Sequence, residues 1–581
     1  MCCMRARHRQ DNRPWLISVG KSNWFIYTPA LSVSFQFFSF LKNMFGCVVL
    51  ACLATFCVGT DVILKTKQGQ LRGTRTEYFS DEFVDVYNGI PYALPPVGAR
   101  RFRPPSPAVA WSGVRDARSP RHICPQVHSK PHSTQDEDCL FLNVYTWKSK
   151  AFTTPPLPVM VLIHGGAFNE GGGSLFRCNA LALHSVVVVT INYRLGALGF
   201  LATDDDASPG NYGMLDQVMA LKWVRDNIAD FGGDPKQVTV FGESAGAVST
   251  SLHLISPHSK GLLDAAITES GVSLSEWGFR TSQDRPSPLD QARALGQRVG
   301  CSETNTTLLV ECLHKVDAKR LTVNDLTKAE NRLVWSPVVE TVYGFLPDTP
   351  QMLIGKGNAA SVPVMRGVNK DELAAKIAWF HGISAGMSLK SAAAFIQQNI
   401  QRAFASNQQA VQEAIEKVYL SDVQPSEHDV IRSRIIQMLS DRAFYVPTVV
   451  ETEKQARRGG SPVYLYEFDY RSPRDSKPVW EGVPHAAELP YVFGAPLLGG
   501  SAWTEYDKAI TSRVMGYWTN FAKHGDPSYG HVTWKPFTMK EKGYLSIGNS
   551  SVMKYDPRSA EVKLWTEVIP KLSQSQSVII G

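Results

Sequence analysis

Six short apolar runs rich in β-branched residues recur along the chain, at Leu157–Ile163, 186–191, 238–241, 265–268, 364–368 and Val463–Phe468. Each has the length of a buried strand rather than of a helix. Between several of them the pattern changes to a helical one, as over 213–228, where Asp216, Ala220 and Trp223 are spaced for a helix. Strands alternating with helices predict an α/β fold, with a mostly parallel central sheet covered by helices on both faces. From residue 60 onward there is no Gly/Ser or Pro tract, no long charge run and no internal repeat, so 60–581 is expected to be one domain.

The first 59 residues follow another pattern. Residues 24–41 are apolar but interrupted by Pro29, Ser32, Ser34, Gln36 and Ser39. Lys42, Asn43 and Met44 then precede a 14-residue apolar run, 45–58. Fourteen residues is short for a membrane span and fits a signal-peptide core, with Gly59 and Thr60 as small residues at the cleavage point. The reading is an upstream extension over 1–43, disordered or untranslated, a signal peptide over 44–59, and a secreted mature chain from Thr60 or Asp61. An uncleaved signal anchor is the alternative.

Removal of this segment changes the charge and cysteine pictures. It holds six basic residues against Asp11, so the formal net charge falls from +7 to +2. A near-neutral remainder has no electrostatic footprint for nucleic acid. Five of the ten cysteines leave with it, and Cys124, Cys139, Cys178, Cys301 and Cys312 remain. The close pairs Cys124–Cys139 and Cys301–Cys312 suggest two disulfides, which in a secreted chain outrank a metal site. Asn305-Thr306-Thr307 and Asn549-Ser550-Ser551 are glycosylation sequons.

The run at 238–241 leads directly into Gly242-Glu243-Ser244-Ala245-Gly246 and then into small residues suited to a helix start. Strand, Gly-x-Ser-x-Gly, helix is the order of a nucleophile elbow. The tight turn strains the serine backbone and brings the residues two before and two after it together, where glycine avoids a clash. A second copy, Gly382-Ile383-Ser384-Ala385-Gly386, has no strand before it and a helical stretch at 392–400 after it. Ser384 therefore reads as a loop serine. A second chemical stretch, His164-Gly165-Gly166-Ala167-Phe168, follows the Leu157–Ile163 run. The N–H groups of Gly165 and Gly166, with that of Ala245, would form an oxyanion hole. Gly171-Gly172-Gly173 nearby reads as a simple turn.

Several stretches carry a resemblance to type-B carboxylesterases, the cholinesterase and carboxylesterase family of α/β-hydrolases. They are Tyr87-Asn88-Gly89-Ile90-Pro91-Tyr92-Ala93, Glu137-Asp138-Cys139-Leu140, Asn192-Tyr193-Arg194-Leu195-Gly196, Gly210-Asn211-Tyr212-Gly213 and Gly242-Glu243-Ser244-Ala245-Gly246. The resemblance covers roughly 61–570 and is nearest to a secreted, insect-type carboxylesterase. It implies Glu372 as the acid, in Gly367-Val368-Asn369-Lys370-Asp371-Glu372, with Leu373 where the family has glycine. It implies His485 as the base, in Gly482-Val483-Pro484-His485, with Glu488 downstream as the alternative acid. Ser270 resembles the family's buried serine that hydrogen-bonds acid and histidine. Glu243 supports the nucleophile, and Trp277 matches an acyl-pocket aromatic or is core packing.

The function implied is a serine carboxylesterase acting on a small neutral ester through an acyl-enzyme, with no cofactor, no metal, no nucleic acid and no stable membrane anchor. Cholinesterases carry a tryptophan in the first disulfide loop that binds quaternary ammonium. Between Cys124 and Cys139 this chain has Gln126, His128, Ser129, Lys130 and His132 and no aromatic ring of Phe, Tyr or Trp. Three further readings stand beside the main one: a catalytically silent adhesion protein like the neuroligin group, a juvenile-hormone-esterase-like enzyme, and a lipase. The first predicts loss of the nucleophile or the histidine. The second favours Gln where Glu243 stands.

Overall fold

The computed structural model describes residues 59–573, except 80, 129–132, 151–154, 325–333, 379–381, 405 and 500–502. The expected upstream extension and almost all of the expected signal peptide lie outside the described residues, as do Ser129, Lys130 and His132. Among the described residues no helix is long and apolar enough to cross a membrane.

The strands in chain order are β1 (Thr60–Thr66), β2 (Gly69–Phe79), β3 (Glu82–Pro91), β4 (Val114–Asp116), β5 (Phe141–Ser149), β6 (Leu157–Ile163) and β7 (Val187–Ile191). They continue with β8 (Gly233–Glu243), β9 (Ala265–Glu269), β10 (Val364–Asn369), β11 (Val463–Phe468), β12 (Gly543–Ile547) and β13 (Ser551–Tyr555). They form one sheet in the order β1-β2-β3-β5-β7-β6-β8-β9-β10-β11-β12-β13, with β4 beside β2. The stretch from β7 to β12 is parallel throughout. β1, β2, β3 and β5 add an antiparallel wing on one side, and β13 closes the other. The α/β-hydrolase architecture expected from the sequence is present.

Residue alternation explains why both faces are covered. In β6, Val159, Val161 and Ile163 point into one core cluster, while Met160 and Leu162 point into a second on the opposite face. β7 divides in the same way, with Val187, Val189 and Ile191 against Val188. A parallel strand apolar on both sides needs a helix layer on each. One layer includes Tyr212–Asn227, which buries Met214, Leu215, Val218, Leu221 and Trp223. The opposite layer includes Glu505–His524, which buries Ile510, Val514, Met515 and Trp518 against the second cluster.

The helix Ala245–Ile255 is buried along its whole length. Its small residues let it lie close to the sheet, and Gly246 stands against the end of β6, where a Cβ would meet the carbonyl of Ile163. This close packing joins the nucleophile turn to the strand that carries the Gly-Gly pair.

Both expected disulfides form, Cys124–Cys139 and Cys301–Cys312. Cys178 is a buried free thiol, and burial pushes its pKa up, which makes it unreactive. Asn305 is exposed and caps the helix Thr306–Lys315, accepting from the N–H of Leu308 at 3.1 Å. Asn549 is exposed in the turn between β12 and β13. Both sequons are therefore sterically open.

Candidate active site

The parallel register aligns the carboxyl ends of four strands. Ile163 of β6 pairs with Gly242 of β8, Glu243 of β8 with Glu269 of β9, and Glu269 with Gly367 of β10. Loops leaving these ends therefore open into one crevice, the usual ligand position in an open α/β sheet.

Ser244 sits between β8 and the helix Ala245–Ile255 with φ 57° and ψ −123°. That conformation is costly for any residue with a Cβ and is held by its surroundings. Its N–H donates to the carbonyl of Glu269 at 2.8 Å. A Cβ on Gly242 would lie 2.5 Å from the Ile163 carbonyl oxygen and 2.6 Å from the carbonyl of Gly246. The two glycines are thus required by contact with each other and with β6, as the motif predicts. The second Gly-x-Ser-x-Gly copy differs at every point. Ser384 is exposed in a single 3₁₀ turn, Ile383–Ala385, and the element before it among the described residues is the helix Ala374–Ile377.

Gly165 faces the nucleophile. A Cβ there would stand 2.7 Å from Oε2 of Glu243 and 3.1 Å from Cβ of Ser244. Gly166 has φ 104°, and a Cβ on it would strike the backbone of Glu170. The N–H groups of Gly165, Gly166 and Ala245 donate to no acceptor among the described residues. Ala245 opens an eleven-residue helix, whose N-terminus favours negative charge. His164 stacks on Tyr193 with centroids 4.4 Å apart, and Tyr193 donates its hydroxyl to the His164 carbonyl at 2.9 Å. These contacts fix the loop that carries the Gly-Gly pair.

Glu372 and His485 meet as expected. Nδ1 of His485 lies 2.6 Å from Oε2 of Glu372, whose Oε1 accepts the N–H of Asn369 at 2.8 Å. The backbone ties the pair again, through the His485 N–H to the Glu372 carbonyl at 3.1 Å. Glu488, the alternative acid, is engaged elsewhere, accepting from Nδ2 of Asn369 at 2.5 Å. Leu373 has φ −97° and donates its N–H to Ser440 Oγ at 3.1 Å, so glycine is not needed there.

The expected hydrogen bond from Ser270 to the acid and the histidine is not formed. Ser270 is buried with φ 58°, and its Oγ has no partner among the described residues. Asn369 N–H and His485 Nδ1 are the groups that meet the two oxygens of Glu372, and Ser270 Oγ is not among them. Ser270 instead acts through its N–H, which donates to the Gly367 carbonyl at 2.8 Å and ties β9 to β10.

Glu243 takes a larger part than supporting the turn. Its Oε1 lies 3.1 Å from Nε2 of His485, the ring nitrogen that Glu372 does not hold. Glu243, Glu372 and Glu488 are buried around this imidazole, and Glu269 is buried next to Glu243 and Glu488. Burial raises Glu243 to about 7 and Glu488 to about 8, and it raises Glu269 far above the carboxylate range. For His485, burial lowers the pKa, but the charges of Glu243 and then Glu372 outweigh it and lift it to about 10. Glu243, Glu269 and Glu488 thus hold protons above the usual carboxylate range, and the negative charge around His485 favours an imidazolium.

Three participants carried no readable signal in the sequence. Phe444 lies against His485 with centroids 5.0 Å apart and the rings tilted by 45°. It belongs to a π-helical turn, Asp441–Tyr445, that no local motif announces. Trp518 donates Nε1 to Glu269 at 2.9 Å from a helix 249 residues downstream. Glu269 itself resembled one more strand-end residue. Trp277 packs on Phe444 with centroids 5.4 Å apart and donates Nε1 to the Ala443 carbonyl at 3.0 Å. It is thus one ring removed from His485, a position that fits a pocket wall as well as core packing.

Comparison with known proteins agrees with this arrangement. A model of the carboxylesterase family matches residues 60–565. Carboxylesterase 1F of Mus musculus is 35% identical, covering 92% of this chain and 98% of its own. Neuroligin-2 of Mus musculus is 33% identical over 88% of this chain and 68% of its own, and Neuroligin-3 of the same organism 32% over 88% and 69%. With the fold, the elbow and the match over nearly all described residues in agreement, the chain belongs to the carboxylesterase family.

Proposed function

We propose that this protein is a serine esterase that hydrolyses small, neutral carboxylic esters. The observation that carries the reading is the Glu372–His485 contact at 2.6 Å, taken together with the elbow conformation of Ser244. A serine hydroxyl is a weak nucleophile until a base accepts its proton. In this reading Nε2 of His485 takes that proton as Ser244 Oγ attacks the ester carbon. Glu372 keeps Nδ1 protonated and stabilises the resulting cation. The oxyanion accepts from Gly165, Gly166 and Ala245. Collapse returns the proton from His485 to the departing alcohol and leaves an acyl group on Ser244. Water, activated by the same imidazole, then releases the acid and restores the serine. Glu243 adds negative charge beside the imidazolium that forms in both steps.

A second reading, a binding protein without catalysis, is favoured by the similarity to proteins named neuroligins. The presence of Ser244, Glu372 and His485 together supports the enzyme instead. Hydrolysis of a panel of p-nitrophenyl and naphthyl esters by purified protein tests the choice. Turnover that rises and then falls with acyl length supports the esterase; no turnover of any member supports the binding protein.

Secretion is part of the proposal. Two disulfides and two exposed sequons suit an oxidising compartment. N-terminal sequencing of exported protein is expected to begin at Thr60 or Asp61; a membrane-retained chain that keeps 24–58 would contradict it.

A further inference from the structure

A second polar interior lies away from the triad, at the far end of the nucleophile helix. Arg366, in the middle of β10, donates Nη2 to Oε1 of Glu451 at 3.0 Å and Nη1 to Oε1 of Gln455 at 2.7 Å. Glu451 sits on the helix Val446–Arg458 and is fully engaged. Its Oε1 also accepts Ser251 Oγ at 2.5 Å, and its Oε2 accepts Ser273 Oγ at 2.7 Å and the N–H of Leu274 at 3.2 Å. The Arg366 side chain is only 3% exposed, yet its Nε has no acceptor among the described residues.

Arg366 lines a cavity of about 190 Å³ that Lys454 and Arg458 also border. Among the described residues no carboxylate lies within ion-pair distance of Lys454. Arg458 spans only backbone carbonyls, those of Ala359 and Ala360. Burial, together with the nearby charge of Arg458, lowers the pKa of Arg366. Three cations therefore face a space whose single carboxylate has no capacity left. The remaining wall is apolar, with Leu254, Ile255 and Ile354.

We propose that this cavity binds a small organic carboxylate. The head group is held by Lys454 and Arg458 within reach of the Arg366 Nε–H, and the alkyl chain lies along Leu254, Ile255 and Ile354. A guanidinium and an ammonium suit a two-oxygen anion, and the apolar wall selects against a purely inorganic one. Ser244, Glu372 and His485 do not line this cavity, so the proposal is independent of the esterase reading.

The test is calorimetric titration of the full chain with sodium hexanoate. Saturable one-to-one binding with Kd of about 1 mM or tighter is expected, weakened at least about tenfold in Lys454→Ala/Arg458→Ala. The affinity of Phe444→Ala is expected to be unchanged, since that ring belongs to the triad side. Both cationic side chains reach solvent, so the double variant is expected to fold; the single Lys454→Gln, expected to weaken binding about threefold, gives a second reading. Hexan-1-ol is expected not to bind, and inorganic phosphate to bind at least about tenfold more weakly than hexanoate. Unchanged affinity in both cationic variants, phosphate binding as tight as hexanoate, or no saturation up to about 10 mM would overturn the proposal.

Discussion

Nε2 of His485 lies 3.1 Å from Oε1 of Glu243, the residue immediately before the nucleophile. The base thus faces a carboxyl on each side, since Nδ1 is held by Glu372 at 2.6 Å. The arrangement favours the imidazolium and so assists the step in which the histidine carries the serine proton. It also keeps the imidazole protonated to higher pH. The base is active only when neutral, so a raised pKa moves the acid limb of kcat/KM upward. Replacing Glu243 with glutamine removes one source of that rise. Glu243→Gln is expected to shift the acid limb to lower pH by roughly one unit and to lower the maximal kcat. A pH profile of kcat/KM for the two proteins measures this; an unmoved limb would mean that Glu243 does not charge the base's surroundings.

The glycines of the elbow are a packing requirement rather than a signature alone. A methyl group at Gly246 falls on the Ile163 carbonyl, whereas one at Gly355 meets nothing within 4 Å. Gly246→Ala is expected to cost at least about 3 kcal/mol or to prevent folding. Gly355→Ala is expected to leave stability within about 0.5 kcal/mol. Urea unfolding of the two variants gives the comparison directly.

The sequence carried the parts of this site that depend on local backbone chemistry. The six apolar runs became β6 to β11, and Ser244 and Ser384 were told apart by what precedes them. Glu372 and His485 were identified by flanking residues rather than by physics, because their contact spans 113 positions. The antiparallel wing of β1, β2, β3 and β5 was not read. β1 is exposed at alternate positions, and its pairing depends on neighbours rather than on its own composition. Phe444, Trp518 and the buried Glu269 were equally hidden, since each acts through a tertiary contact. Ser270 shows the opposite error, a resemblance that supplied a hydrogen bond its Oγ does not make among the described residues.

Phe444 lies against the His485 imidazole and also packs on Trp277. Phe444→Ala is expected to lower kcat about tenfold for short acyl esters with KM nearly unchanged, because the base loses its position rather than the substrate its site. Trp277→Ala is expected to shift preference toward longer acyl chains with a smaller loss of kcat. Steady-state kinetics on acetate, butyrate and octanoate esters separates the two effects; a uniform rise in KM for Phe444→Ala would contradict the positioning role.

The first disulfide loop, Cys124–Cys139, lacks the ring that a choline ester would need. Gln126 in this loop accepts the Gly171 N–H at 3.0 Å and donates to the Gly171 carbonyl at 2.8 Å, so its amide serves the backbone. No Phe, Tyr or Trp occurs between Cys124 and Cys139. A desolvated aromatic face contributes about 2 kcal/mol to binding a quaternary ammonium, roughly thirtyfold. Without it, butyrylthiocholine is expected to have no advantage over a neutral thioester of the same acyl length. A preference of about tenfold or more for the choline ester would contradict this.

Hydrolysis of p-nitrophenyl butyrate by the unmodified protein, Ser244→Ala and Ser384→Ala tests the central claim most directly. The two serines share a Gly-x-Ser-x-Gly pattern and differ only in structure, so each variant controls for the other. The expected result is a loss of at least about 10³-fold in kcat for Ser244→Ala and a change of less than about twofold for Ser384→Ala. Equal losses from the two substitutions, or full activity in folded Ser244→Ala, would contradict it.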